Sequence, residues 1–149
     1  MNVNEVNEAP QLSVPDAQTL DELTVLQTTV AASDADLPPN QLTLEVVSAP
    51  TGVGFDPATG ALSWTPTEAQ GPGSYDLVFQ VTDANPDAVN EQQLAATASF
   101  TVTVGEVNLP PMLADIGPQT ATEGAPFSLA SSGLDSDLPL NTLTFALVN

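Results

Sequence analysis

The chain has 149 residues, 42% of them hydrophobic, so it is long enough to bury one ordinary domain and part of another. It carries 19 acidic residues and no lysine, arginine or histidine, a formal charge of −19. Nucleic acid and anionic lipid headgroups are excluded as electrostatic partners, because both require basic residues, and cations are the natural counterpart. The absence of cysteine excludes disulfides and thiolate metal sites. No apolar run approaches the roughly 20 residues of a membrane span, so we expect no membrane insertion by this segment.

Apolar residues alternate with period two along the first hundred residues, which predicts strands, and no stretch has a helical period. The predicted strands, A to G, cover residues 11–14, 24–32, 41–47, 51–55, 61–64, 75–81 and 96–104. A turn is predicted at residues 56–60, between D and E. The predicted core includes the aromatic residues Trp64, Tyr75, Phe79 and Phe100, and Tyr75 is placed as in a tyrosine corner. Seven short strands at this spacing predict an all-β, immunoglobulin-like Greek-key sandwich.

The chain also repeats itself. Glu5-Val6-Asn7 returns 101 residues later as Glu106-Val107-Asn108, and the Asp-x-Asp stretch at residues 34–40 returns at 135–141. This period is the size of one immunoglobulin domain. We therefore expect a complete repeat at residues 1–105 and a truncated second repeat at 106–149, with strands A to C only, within a longer tandem array. The truncated copy lacks covering strands, so we expect it to be loosely ordered or paired with another molecule.

Carboxylate and carboxamide side chains converge at one end of the predicted sandwich, called here the first pole. Because consecutive strands alternate in direction, the start of A, the B–C loop and the end of F meet there. The residues are Glu5, Asn7, Glu8, Asp34, Asp36, Asn40 and Asp83. Calcium takes about six to eight oxygen ligands of these kinds. Loops are also rich in Asp and Asn for turn formation alone, but recurrence at a fixed period and the lack of basic partners favour a metal site.

The opposite pole is the predicted junction with the next repeat. The A–B turn, the E–F connection and the exit from G supply carboxylates there, and the second copy adds oxygens of its own. The predicted junction set is Glu22, Glu68, Glu106, Asn108, Asp135, Asp137 and Asn141. We expect side chains from both copies to share cations at this junction.

Three stretches of the chain resemble the cadherin repeat. They are residues 30–42, with the Asp-x-Asp pair, residues 54–62, with a Thr-Gly pair, and residues 75–83, which end in an aspartate. The form most similar is the bacterial cadherin-like or dystroglycan-type repeat, also named Putative Ig domain, which occurs in tandem in large surface proteins. The resemblance covers residues 3 to 105, and residues 106 to 149 as a truncated copy.

This resemblance implies calcium binding and an extracellular, cell-surface location. The implied ligands within one domain are Asn7, Asp34, Asp36, Asn40 and Asp83. Those implied for the shared junction are Glu22, Glu106, Asn108, Asp135 and Asp137. Calcium would stiffen the junctions between neighbouring repeats of the same chain, and the array would serve reach and adhesion. The adhesion ligand, whether a like molecule, a host or another surface, stays open.

Other functions share this fold. A calcium-independent immunoglobulin-like spacer is one, and a carbohydrate-binding module in which Trp64 stacks on a sugar is another. An enzyme would have to work with carboxylates alone, as glycosidases do. Acids at a pole with no aromatic platform or basic group nearby are typical of metal ligands, so the sequence predicts no enzyme.

Overall fold

The fold is all-β. The computed structural model describes residues 4–148 in two compact units, of which the first ends at Glu106 and the second begins at Val107. The strands of the first unit are β1 (Gln11–Ser13), β2 (Gln18–Asp21), β3 (Leu26–Thr29), β4 (Ala31–Ser33), β5 (Thr43–Ser48), β6 (Gly54–Phe55), β7 (Ala61–Trp64), β8 (Gly73–Thr82) and β9 (Ala95–Gly105), with a 3₁₀ turn at Glu68–Gln70. The second unit contains β10 (Met112–Leu113) and β11 (Gly133–Leu134). Within residues 4–148, no helix has the length and apolar character to cross a membrane.

Two sheets enclose the core of the first unit. One has the strand order β2-β9-β8-β5 and the other β3-β7-β6, while β1 and β4 form a short ladder of their own. The strand pairs are antiparallel except for β2 and β9, which run parallel. The predicted immunoglobulin-like sandwich is therefore confirmed.

The structure differs from predicted strands A and B. Predicted strand A corresponds to β1 and is followed by a strand that was not predicted, β2, while predicted strand B changes partner along its length. β2 follows β1 after Pro15, which lacks an N–H, and pairs with β9 in the four-stranded sheet. The alternation of apolar residues did not predict β2, since Leu20 is its one apolar residue. Predicted strand B divides at Val30 into β3, which pairs with β7, and β4, which pairs with β1.

The core lies between the two sheets of the first unit. Its buried members are Leu26, Val30, Leu62, Trp64, Leu77, Phe79, Phe100, Val102 and Val104. Trp64 is 1% exposed and meets Tyr75 edge to face at a centroid distance of 5.3 Å. Trp64 therefore has no free face on which a sugar could stack, which removes that part of the carbohydrate hypothesis. The Tyr75 hydroxyl donates to the Gln70 carbonyl oxygen at 2.8 Å, which confirms the tyrosine-corner prediction.

The turn predicted at residues 56–60 is confirmed and depends on Gly60. This glycine has a φ of +71°, and an added Cβ would collide with the carbonyl oxygen of Val30. The Thr59 hydroxyl donates to Asp56 at 2.7 Å and the Ala58 N–H at 2.9 Å. These hydrogen bonds, that of Thr59 first, lower the pKa of the exposed Asp56 carboxyl.

The second unit repeats the first ladder of the first unit at an offset of 101 residues. Met112 pairs with Leu134 as Gln11 pairs with Ser33. Residues 142–148, at the position of predicted strand C, do not form a strand. Several large apolar side chains of this unit are exposed, among them Phe127 (53%), Phe145 (58%) and Leu147 (94%).

Replacing Tyr75 with Phe tests the corner. Loss of the hydroxyl leaves the Gln70 carbonyl without its donor, so the free energy of unfolding should fall by about 1 kcal/mol. Urea unfolding followed by Trp64 fluorescence should show a lower midpoint with an unchanged m-value. Ser99→Ala, which removes an exposed hydroxyl from β9, is the control. Equal midpoints for the two variants would contradict a stabilising role for the corner.

Candidate metal sites

The first pole gathers side chains from three separate loops, as the alternation of strand direction predicted. Asn7 precedes β1, Asn40 lies between β4 and β5, and Asp83 follows β8. Asn7 Nδ2 donates to both carboxylate oxygens of Asp83, at 3.1 and 3.2 Å, and Asn40 Nδ2 donates to Asn7 Oδ1 at 3.1 Å. Asn7 is 4% exposed and Asp83 1%, so this pole is a buried polar cluster rather than a solvated rim.

Asp34 and Asp36 complete this cluster. The Asp36 N–H donates to Asp34 Oδ1 at 2.8 Å, the local turn typical of Asp two residues before an amide. Asp36, itself buried, accepts from Asn40 Nδ2 at 2.8 Å and from the Glu8 N–H at 3.1 Å. Asp34 Oδ2 is also buried, and no donor within residues 4–148 reaches it.

The two glutamates predicted for the first pole contribute less than the aspartates. Glu8 enters through its backbone N–H, and its side chain is exposed. Glu5 Oε1 accepts at 3.5 Å from Nδ2 of Asn85, a buried residue that also approaches Asp36 at 3.4 Å. Asn85 was not predicted, although its spacing from Asp83 matches that of Asp36 from Asp34. Asn90, whose side chain hydrogen-bonds to the backbone of Asn7, was not predicted either, and no sequence pattern marks it.

Three residues of the predicted junction set form a second carboxylate cluster within the first unit. Oxygen atoms of Glu22, Glu68 and Glu106 all lie within 4.8 Å of one another. Glu22, which follows β2, is 1% exposed, and its N–H donates to the Gly105 carbonyl at 3.0 Å. Gly71 makes room for this side chain, because an added Cβ would collide with Glu22 Oε2. The three charges repel one another, and the sequence has no basic side chain to offset them.

The remaining junction residues form a network of their own in the second unit. Asp137 accepts from the Leu109 N–H at 2.9 Å and from Asn141 Nδ2 at 3.1 Å, and the Asp137 N–H donates to Asp135 Oδ1. Asn141 Nδ2 also donates to Asn108 Oδ1. Each of these four hydrogen bonds has its counterpart 101 residues earlier. Sharing of a cation between the two copies stays a prediction.

Asp137, like Asp34, carries a buried carboxylate oxygen that no donor among the described residues reaches. Its side chain is 1% exposed, and Oδ1 finds no hydrogen-bond donor in the described part of the chain. Asp137 corresponds to Asp36, not to Asp34, so the position of the orphaned oxygen is not itself repeated. In each unit, the network built on the Asp-x-Asp pair nevertheless includes a buried carboxylate oxygen that no donor among residues 4–148 reaches.

The donor chemistry of these clusters suits a hard cation. The candidate ligands are carboxylate and carboxamide oxygens, and the chain has no cysteine or histidine. Asn7 and Asn40 now point amide N–H groups at carboxylates, and half a turn of either carboxamide would present Oδ1 instead. The clusters therefore hold enough oxygens for calcium and no group that would prefer a softer metal.

Solved structures of cadherin ectodomains share this fold. Mouse cadherin-23 EC22-24 is 21% identical with a TM-score of 0.54, over 74% of this chain and 37% of that one. Human CDH23 EC21-23 is 18% identical with a TM-score of 0.52, over 90% of this chain and 45% of that one. This chain therefore spans less than half the length of either. No curated protein matches its sequence.

The family comparison covers most of the first unit. The model described as Putative Ig domain matches residues 7–105, in agreement with the resemblance drawn from the sequence. The chain belongs to the Putative Ig domain family, and its fold is that of a cadherin-like, immunoglobulin-like domain.

Proposed function

We propose that this chain is a calcium-binding module of an extracellular adhesion or spacer array. The observation that carries the proposal is the buried carboxylate oxygen without a donor, Asp34 Oδ2 in the first unit and Asp137 Oδ1 in the second. A buried carboxylate oxygen costs free energy unless a hydrogen-bond donor or a cation faces it. Because no donor within residues 4–148 reaches either oxygen and the chain has no basic side chain, we propose that a cation from outside the chain faces them.

In the first unit, the calcium ligands would be Asn7, Asp34, Asp36, Asn40 and Asp83. These residues come from three loops, so a bound cation would cross-link the loops and neutralise their charge. A ligand that binds only the folded state stabilises it, and the gain rises with the logarithm of the ligand concentration once that concentration exceeds the Kd. Calcium would therefore act here as a structural element of the repeat.

A second proposed location is the cluster of Glu22, Glu68 and Glu106. Glu106 closes the first unit, and Asn108 begins the polar network of the second only two residues later in the sequence. We propose that a cation bound by the glutamates also takes ligands from Asn108, Asp135, Asp137 and Asn141. Such sharing would make calcium the stiffening agent between neighbouring repeats.

A calcium-independent spacer is the competing function, and one observation favours it. Carboxamide groups already donate hydrogen bonds to several carboxylate oxygens at the first pole, since Asn7 donates to both oxygens of Asp83 and Asn40 donates to Asp36. A network satisfied in this way can hold three loops together without metal. The two functions differ in whether calcium changes the stability of the folded chain.

The Asp34→Asn variant distinguishes calcium binding at the first pole from a calcium-independent spacer. The amide oxygen can still accept the Asp36 N–H, while the variant loses the charge of the orphaned oxygen. At about a hundredfold excess over its Kd, calcium should add about 2.7 kcal/mol to the free energy of unfolding of the parent, and the variant should lose most of this gain. Urea unfolding monitored by Trp64 fluorescence, in chelator and in calcium at equal ionic strength, measures the difference.

Asp16→Asn is the matched control, because it removes the same charge at an exposed position outside both clusters. It should keep the full calcium response. An equal response in the parent and in Asp34→Asn would refute the first-pole assignment, and no response in the parent would favour the spacer.

Glu22→Gln tests the glutamate cluster, because its effect on the free energy of unfolding should have opposite signs in chelator and in calcium. In chelator the variant should be more stable than the parent by up to about 1 kcal/mol, because one of three repelling charges is gone. In calcium it should be less stable, because a ligand is lost. Glu45→Gln, on the exposed side of β5, should show no such reversal. The same order of stability for Glu22→Gln in both solutions would remove this cluster as a calcium site.

Small-angle scattering tests the stiffening. With both units present, the maximum dimension of the chain should be larger in calcium than in chelator. The two solutions must have equal ionic strength, because screening by salt alone also relieves repulsion between the carboxylates. Glu106→Gln should abolish this difference and Glu45→Gln should preserve it. Identical scattering of the parent in the two solutions would contradict calcium-dependent stiffening.

A further inference from the structure

The loop between β8 and β9 lies against the segment that leads into β1. This leading segment comprises residues 4–8. Glu5 forms an isolated parallel bridge with Ala88, and the Val89 N–H donates to the Glu5 carbonyl oxygen at 2.9 Å. The loop thus pairs with the leading segment by backbone hydrogen bonding, outside the two sheets of the sandwich.

Asn90 extends this pairing with its side chain. Asn90 Oδ1 accepts from the Asn7 N–H at 2.8 Å, and Asn90 Nδ2 donates to the Asn7 carbonyl oxygen at 2.9 Å. A carboxamide carries an acceptor and a donor side by side, so it can satisfy both backbone groups of one residue. Asn7 is thereby held at its backbone by Asn90 and at its side chain by Asp83 and Asn40.

Hydrogen bonds within the loop that carries Asn90 hold its two ends together. The Asp83 N–H donates to the Leu94 carbonyl at 3.0 Å, and the Leu94 N–H returns to Asp83 Oδ1 at 2.7 Å. Further along, the Asn85 N–H donates to the Gln92 carbonyl, and Gln92 Nε2 donates to the Pro86 carbonyl, both at 2.9 Å. These hydrogen bonds fix the position from which Val89 and Asn90 reach the leading segment.

We propose that Val89 and Asn90 form a latch that holds residues 4–8 on the repeat that follows them, without calcium. The contacts of the latch use backbone groups and a neutral carboxamide, so they need no cation. Asn90 acts as a positioning residue, because it fixes the backbone of Asn7 among the first-pole oxygens. The leading segment then moves with its own repeat and is not the hinge of a calcium-free array. The latch does not depend on the proposed calcium binding.

Amide hydrogen exchange of the whole chain in chelator tests the latch. The amides of Asn7 and Val89 should be protected in the parent. In Asn90→Ala, the Asn7 amide should exchange about tenfold faster or more, because both hydrogen bonds of the side chain are lost. Amides of the β8–β9 ladder, such as that of Leu77, should be unchanged. Gln93→Ala, an exposed change in the same loop, is the control and should leave the Asn7 amide protected.

Asn90→Asp provides a second, conservative variant. It keeps an acceptor for the Asn7 N–H but loses the donor to the Asn7 carbonyl, so it should restore part of the protection that Ala removes. An unprotected Asn7 amide in the parent would overturn the latch, as would equal exchange in the parent and in both Asn90 variants. Because the measurement is made in chelator, it separates failure of the latch from failure of calcium binding.

Discussion

Every stabilising contact of an acid in this protein must be made without a cationic side chain, and this constraint shapes both units. Nineteen carboxylates are distributed along a chain with no lysine, arginine or histidine. Acids among residues 4–148 accept hydrogen bonds from neutral donors: Asp83 accepts from the Leu94 N–H and from Asn7, and Asp76 accepts from the Thr101 hydroxyl. Neutral donors satisfy lone pairs but cancel no charge. The electrostatic free energy of the fold therefore depends on the ions around it.

Much of the architecture could be predicted from the sequence. The alternation of apolar residues is a local property, and the pole at which a loop lies follows from counting strands that alternate in direction. Residues 61–64 were predicted and found as β7, and the long strands β8 and β9 differ from their predictions by one or two residues at each end. Parity also brought together Asn7 and Asp83, which are 76 residues apart in the chain. The alternating direction of consecutive strands was enough to predict that these loops lie at the same pole.

The features that the sequence did not predict are pairings between strands and between hydrogen-bonding groups, not which side of a strand is buried. Alternation reports which side of a strand is apolar, but it does not report the neighbouring strand, so the change of partner at Val30 left no trace in the pattern. Backbone amides likewise have no signature in residue type, and Glu8 contributes its N–H where its carboxylate was expected. Asn90 is one asparagine among several in a polar loop. Its role follows from where the fold places Asn7.

The parallel pairing of β2 with β9 has a mechanical consequence. The chain enters the repeat upstream of β2 and leaves it downstream of β9, and these two strands run side by side in the same direction. Tension applied along the chain therefore pulls β2 and β9 in opposite senses along their common axis. Their hydrogen bonds from Gln18 to Asp21 are then loaded together in shear, whereas in an antiparallel hairpin pulled at its open end they would break one after another. Once tension reaches β2 and β9, the unit resists extension through the simultaneous strength of the hydrogen bonds between these two strands.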